Sequence, residues 1–554
     1  MIKGVFSKGW KERLQVPTDE GYENDPLTNR DLIPFGKNRR TWSPSAYAMY
    51  WIIEACSITG YTTGSSLVGY GLSVKQAILC SFAAGVLYGM CAVLMGIIGA
   101  YHHIGYPVLA RMVYGIQGAK FGIVLRIITG IIWWGVQAYY GAQAAAVMIS
   151  CLSPSFLTWD SFDNKNDITS ANLVGLMVYC GLMVPCLFIK PENLHWFFRT
   201  VTFFIVGTFF GMLGYCVKHA HGVGELFSKP SGNYPSGSLG WACVQGIFSI
   251  LGSAGTGILG QSDFTRYSKT KRGPMYSQMI GAPTALVFAC IMGSISTSAS
   301  NEFIGEVIWN PITLLATILK YNNFNSASRA AVFFASASFL SQQLAINLLL
   351  NSLSSSMDMA GLFPKYINIR RGTFIVMAIG ILIWPWKILT SAKAVIVFGT
   401  GWGCFASAQT GNVIFTYFVT YKRKILLKDL YINNSESIYW FWNGIDWRSI
   451  ASFFVGTVFL IPGLAFDCQG ETRGGWTYIY RFSYLTGIVL SMASLFVLEK
   501  IFPKKTIQPS TKVDDIYNPD GSLIEEVNGL SGSNSVELVS VSVSSKGHRE
   551  ESSK

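Results

Sequence analysis

Charge is scarce in this chain: 13% of its 554 residues are Asp, Glu, Lys or Arg, against 50% hydrophobic and 14% aromatic. Mean hydropathy is +0.36. That balance excludes an ordinary soluble domain, in which about a quarter of residues are charged. The motifs of nucleotide chemistry are missing too. The Gly-rich stretches lack GxxxxGK[ST], so an ATP-driven pump has no nucleotide-binding element here. There is no dinucleotide fingerprint and no nucleophile–His–acid arrangement, so the chain reads as no enzyme and as carrying no cofactor. The 11 cysteines are scattered, most within apolar runs (Cys56, Cys80, Cys91, Cys186, Cys290), without CxxC pairs or a dense disulfide pattern. They read as small packing residues. His102 and His103 read as loop structure rather than metal ligands. The first 45 residues are polar and charged, so no cleavable signal peptide is expected and the first apolar run would direct insertion.

Long apolar runs are what the chain has. A helix needs about 20 mostly apolar residues to cross a bilayer. That rule gives about twelve windows: 46–70, 75–99, 121–149, 172–190, 200–218, 239–262, 275–298, 330–356, 373–389, 392–419, 449–466 and 482–502. Window 330–356 is weak in hydropathy, because Ser and Gln interrupt it. Many windows are rich in Gly, Ser and Ala, as close-packed membrane helices are. The expected class is an all-α polytopic membrane protein in three parts: a cytoplasmic tail (1–45), a transporter domain (46–502) and a disordered cytoplasmic tail (503–554).

The net charge of +12 would suggest nucleic acid in a soluble protein. Here it reads as topology, with no nucleic-acid partner. With the N-terminus inside, basic residues gather in the N-terminal tail (Lys3, Lys8, Lys11, Arg13, Arg30, Lys37, Arg39, Arg40) and in alternate loops. Those loops hold Arg266, Lys269, Lys271 and Arg272; Lys365, Arg370 and Arg371; and Lys422, Arg423, Lys424 and Lys428. The loop at 151–171 holds only Lys165, and the long loop 299–325 only Lys320. The bias puts both termini in the cytoplasm, where the tails could meet trafficking or ubiquitin machinery.

Polar residues sit in mid-span. Trp133-Trp134-Gly135-Val136-Gln137 lies inside one apolar run, and Asn347-Leu-Leu-Leu-Asn351 ends another. Amides at bilayer depth are costly unless they face a cavity, another helix or a ligand. Trp133 and Gln137 are four residues apart and share a helix face. A flat polar ring needs an aromatic surface for its face and amides for its edge, which Trp133, Gln137 and one or both of Asn347 and Asn351 can supply. An interhelical hydrogen bond is the competing role for Gln137. Two windows also carry helix breakers: Ser57, Thr59 and Gly60 in the first, and Ser253, Gly255 and Gly257 in the sixth. Paired interruptions five spans apart point to an inverted repeat with a midplane site. Glu54, just before the first break, is a candidate for proton coupling. Asp263 beside Arg266 reads as a structural ion pair or gate.

The same residues carry a family resemblance. Asn29-x-Asp31-Leu-x-Pro34, Arg40-Thr41-Trp42, Tyr101-His102-x-Ile-x-Tyr-Pro107, Trp133-x-Gly135-x-Gln137, Asp263-Phe264-Thr265-Arg266-Tyr267, Asn347-x-x-x-Asn351-Ser352 and Leu362-Phe363-Pro364-Lys365-Tyr366 occur in order. Together they resemble the nucleobase–cation symporter-1 family, and its fungal plasma-membrane branch in particular. The resemblance implies twelve spans with a LeuT-type 5+5 core, broken at helices 1 and 6. It implies import of uracil, allantoin, uridine or a related heterocycle, driven by H+ in fungi and by Na+ in some bacteria. Two departures stand out. The sixth-span break, Ser253-Ala254-Gly255, lacks the aromatic some relatives use to cover the second ring face. Ala345-Ile346 replace the hydroxyls that sodium-coupled relatives carry before the first Asn. Hard cations need oxygen ligands, so proton coupling gains support. A vitamin carrier for thiamine, nicotinamide riboside or pyridoxine, and a membrane sensor that binds without transport, are the alternatives.

Overall fold

The computed structural model describes residues 15–16, 27–28, 32–162, 168–189, 194–232, 234–389, 391–505 and 507. Most of both tails, Lys165 and the Asn29-x-Asp31 part of the opening motif lie outside them. Within them the chain is almost wholly helical, with a helix at every apolar window. Seven helices are long and apolar enough to cross a membrane. The other windows hold shorter, interrupted or less apolar helices, among them Ser170–Cys186, Leu239–Ser253, Ile369–Leu382 and the 23-residue Ala392–Ile414. The count of twelve is therefore a count of helical windows. Among the described residues, three α-helices fall outside them: Tyr106–Tyr114, Pro311–Tyr321 and Gly474–Arg481.

The weak eighth window has a physical explanation. Its helix, Ser326–Leu362, buries 72% of its most apolar stretch, against 22% for the last span, Ser483–Ile501. A span wrapped in protein needs no greasy surface, so Ser and Gln are tolerated where they find partners. Its middle is not α-helical: Asn347–Leu353 is a π turn. Single π turns inside helices recur at functional sites.

Both expected breaks are present. The first span is two helices, Pro44–Ala55 and Ile58–Gly69. Ser57 caps the second half, its Oγ accepting from Gly60 N at 3.1 Å, which satisfies one of the orphan amides at a helix start. The chain doubles back so tightly that a Cβ on Gly60 would lie 1.7 Å from the Ala55 carbonyl oxygen. The sixth span runs Leu239–Ser253, Gly255–Leu259 and Gln261–Thr265, with Ala254 and Gly260 between. Gly252 packs on the tenth span, where its Cβ would lie 2.1 Å from the Gly399 carbonyl oxygen.

Gly60→Ala should therefore abolish folding, since the clash is with backbone and no side chain can yield. Gly214→Ala, where a Cβ meets nothing within 4 Å, should be neutral. Monodisperse yield in detergent, compared for the two variants, checks this. Equal yields would remove the close-approach argument.

Candidate functional site

A cavity of about 110 Å³ lies between the two breaks. The first span lines it with Glu54, Thr59 and Gly60, the third with Trp133 and Gln137, the sixth with Ser253, Thr256 and Gly257, and the eighth with Asn351 and Ser354. Trp51, Tyr88 and Phe264 add aromatic wall. Ile346 presents an alkyl side chain to the cavity and Ala345 is buried, so neither offers a side-chain oxygen to a cation.

Trp133 is 8% exposed and its ring meets Phe398 edge-on, centroids 5.2 Å apart. Its Nε1 has no protein partner among the described residues. Trp134, one residue on, is fully buried and donates Nε1–H to Ser352 Oγ at 3.0 Å. Trp134 packs; Trp133 faces the cavity. Gln137 Oε1 accepts from Thr59 Oγ1 at 3.0 Å and from Gln343 Nε2 at 2.9 Å. The interhelical hydrogen bond weighed against ligand contact is therefore present, and Gln137 lines the cavity as well.

The two asparagines divide. Asn351 lines the cavity, whereas Asn347 is fully buried behind it. Asn347 Nδ2 donates to the Trp134 carbonyl and to Tyr179 Oη, both at 3.0 Å, and its Oδ1 accepts from Asn351 Nδ2 at 2.8 Å. Its role in this geometry is to hold Asn351.

Glu54 lies one residue from the end of the first half-helix and lines the cavity. Tyr88 Oη donates to its Oε1, and a Cβ on Gly257 would lie 3.0 Å from that same oxygen. The glycine lets the two broken spans meet at the carboxyl. Glu54 Oε2 is buried without a hydrogen-bond partner among the described residues.

The ion pair expected between Asp263 and Arg266 is not the one that forms. Asp263 pairs with Arg126 of the third span and also accepts from Tyr106 N at 2.8 Å. Arg126 Nε bonds Asp358 Oδ2 at 2.6 Å, and its Nη2 donates to Ser354 Oγ at 3.0 Å. Arg266 instead donates Nε–H to the Asp263 backbone carbonyl at 3.2 Å and covers the Phe35 ring at 4.3 Å. The three charged residues Arg126, Asp263 and Asp358 are 1% exposed or less at their side chains and lock the third, sixth and eighth spans at the cavity's edge. Neighbours in sequence suggested the wrong partner; the true one is 137 residues away. His103, beyond the second span, is held near pKa 4 by burial and by Arg40, and its Nδ1 lies 3.2 Å from the Arg266 carbonyl. That is the structural role expected of it. Among the described residues no group of three His, Cys, Asp or Glu could hold a metal ion.

Arg126→Met leaves two buried acids without their cation and should cost about 3–5 kcal/mol. Asp358→Asn, which keeps the Arg126–Asp263 pair, should cost less. Thermal unfolding of purified protein in detergent orders the two; the reverse order would show that the triad does not hold the spans.

The chain matches the family model described as permease for cytosine/purines, uracil, thiamine and allantoin over residues 34–487. An uncharacterised permease of Schizosaccharomyces pombe is 31% identical, covering 86% of this chain and 80% of its own. The uracil permease of Saccharomyces cerevisiae is 27% identical over 89% of this chain and 78% of its own. The solved structure of Mhp1, a nucleobase-cation-symport-1 family transporter in a closed conformation with bromovinylhydantoin bound, superposes with TM-score 0.67. It is 20% identical, covering 86% of this chain and 97% of that one. The overall fold is therefore the expected one, an inverted-repeat core with broken first and sixth spans, in a multi-pass membrane transporter rather than an enzyme. The sensor reading has no support among these relatives.

Proposed function

The chain belongs to the permease family for cytosine/purines, uracil, thiamine and allantoin, and from that premise we propose that it imports a neutral, uracil- or allantoin-like heterocycle by proton symport. The observation that carries this is the cavity itself. One indole wall (Trp133) and two amides (Gln137, Asn351) suit a flat ring with a donor–acceptor edge. The names of relatives, uracil permease and allantoin permease among them, support the substrate class. Glu54 is the coupling residue: a carboxyl at bilayer depth, on the cavity wall, with one oxygen unpaired. Alternation of basic and poorly charged loops supports both termini being cytoplasmic, the tails being open to trafficking or ubiquitin machinery, and the fungal permease relatives support a plasma-membrane location.

A second reading has its own observation. Glu54 could serve as counter-charge to a cationic ring, and two relatives are named thiamine transporters. Uptake of radiolabelled uracil, allantoin, uridine and thiamine, in a strain lacking its own carriers, separates the readings.

Gln137→Ala and Asn351→Ala should each weaken uptake about tenfold to a hundredfold at normal surface expression, because a buried ligand group left unpaired costs about 1–3 kcal/mol. Trp133→Phe should keep partial transport and Trp133→Ala should lose most of it. Unchanged apparent affinity in both amide variants would move the site elsewhere.

Uptake should rise as external pH falls, collapse with a protonophore and ignore sodium. Glu54→Gln keeps the shape but exchanges no proton, so it should abolish accumulation while sparing exchange of substrate. Accumulation like the parent's would make Glu54 a packing residue. Selective loss of thiamine binding in the same variant would favour the vitamin carrier.

A further inference from the structure

Amide groups present oxygen or nitrogen with almost the same shape, so a glutamine or asparagine in a site can act in either sense. Backbone carbonyls have no such freedom: they only accept. Two of them, both on the third span, reach the recognition amides through one intermediary each. The Gln137 carbonyl lies 3.4 Å from Gln343 Nε2, so the end of Gln343 that faces the third span is its NH2. That NH2 also meets the Gln137 side chain, at 2.9 Å, which must therefore turn its oxygen that way. Thr59 Oγ1 donates to the same oxygen. Gln137 Nε2 is left for the cavity. In the second chain, the Trp134 carbonyl accepts from Asn347 Nδ2. Asn347 Oδ1 then accepts from Asn351 Nδ2, and Asn351 Oδ1 is left. Tyr179 ties the two chains together, its Oη accepting from Asn347 Nδ2 at 3.0 Å and donating to the Gln343 carbonyl at 3.1 Å. Gln343, Asn347 and Tyr179 are fully buried.

We infer that Gln343 and Asn347 are positioning residues that lock the hydrogen-bonding sense of the site, fixing Gln137 as a donor and Asn351 as an acceptor toward the ligand. The ligand class follows. It must carry an acceptor for the third span and an N–H donor for the eighth, within one small ring, as the C=O/N–H edge of a lactam, imide or ureide does. An N-alkylated edge offers Asn351 no proton, and a thiocarbonyl is a weaker acceptor for Gln137. Reversing Gln137 would set N–H against the Gln343 N–H, and reversing Asn351 would set its oxygen against Asn347 Oδ1, in a buried place where an unmade hydrogen bond is costly. The inference rests on the heterocycle-import reading and names the edge that reading requires.

The test is competition against radiolabelled uracil uptake by the full-length protein, with uracil, 1-methyluracil, 3-methyluracil, 2-thiouracil and 4-thiouracil as unlabelled inhibitors. In the parent, at least one methyluracil and one thiouracil should inhibit about tenfold less well than uracil. Asn347→Leu frees Asn351 to turn, and should narrow the uracil-to-methyluracil ratio toward one while leaving the thiouracil ratio. Gln343→Leu should do the converse. Residues that merely support the helices would weaken every inhibitor by a common factor and leave both ratios unchanged, which would overturn the inference with uracil transport intact. Where a Leu variant fails to reach the membrane, the Ser variants, too short to bridge, carry the same comparison. A parent that accepts both methyluracils and both thiouracils as well as uracil overturns the lock without any variant. A parent that takes up none of uracil, allantoin and thiamine overturns the functional reading, and this inference with it.

Discussion

A helix that stops inside a bilayer exposes carbonyls and amides that no water reaches, and the rest of this molecule is arranged around that constraint. At the first break, Gln342 of the eighth span donates to the Ile53 carbonyl at 2.5 Å, while Ser57 Oγ donates to the Glu54 carbonyl at 3.1 Å. At the sixth, Gln261 Nε2 donates to the Gly257 carbonyl at 2.8 Å, and Gln278 of the seventh span donates to Gln261 Oε1 at 2.7 Å. Trp402 of the tenth span reaches Thr256 Oγ1 at 3.1 Å. The first break is met by a side chain from the eighth span; at the sixth, Gln261 of the same span meets the backbone, and the seventh and tenth spans hold Gln261 and Thr256. The polar residues of the seventh, eighth and tenth spans are thus a consequence of the breaks, and the cavity is the space those partners leave unfilled.

This arrangement explains what the sequence could and could not reveal. Apolar windows, Gly/Ser interruptions and a mid-span Trp133–Gln137 pair are local properties, readable from composition and period. So was the position of Glu54. Partner identity is not local. Arg126 meets Asp358 across 232 residues, Tyr88 meets Glu54 across 34, and Gln343 meets Gln137 across 206. No spacing rule links them. The proximity of Asp263 and Arg266 in sequence was the misleading signal, since a helical offset of three allows contact without requiring it.

The π turn is the other feature that period could not disclose. Asn347 and Asn351 are four residues apart, and on the sequence alone one or both could complete the amide edge of the site. In the π turn over Asn347–Leu353 they bond to each other instead, and one stands behind the other. A hydropathy window reports how much of a helix is apolar and not how its turns are wound.

The acids at the cavity show how the molecule separates fixed charge from charge that can be exchanged. Asp263 is held by a guanidinium and a backbone amide, and Asp358 shares that guanidinium. A carboxylate so paired is a structural element: removing its partner strands a charge in a low-dielectric place. Glu54 has no cation beside it in any described ion pair. Tyr88 donates to one of its oxygens and Tyr50 lies near; its Oε2, like Asp358 Oδ1, has no hydrogen-bond partner among the described residues. A buried carboxyl in that condition is stable only as a neutral acid or with something brought in from outside. In the proton symport we propose, a proton and a ligand both arrive through the cavity that Glu54 lines. That asymmetry, rather than depth in the membrane alone, is why we read Glu54 and not the triad as the coupling residue.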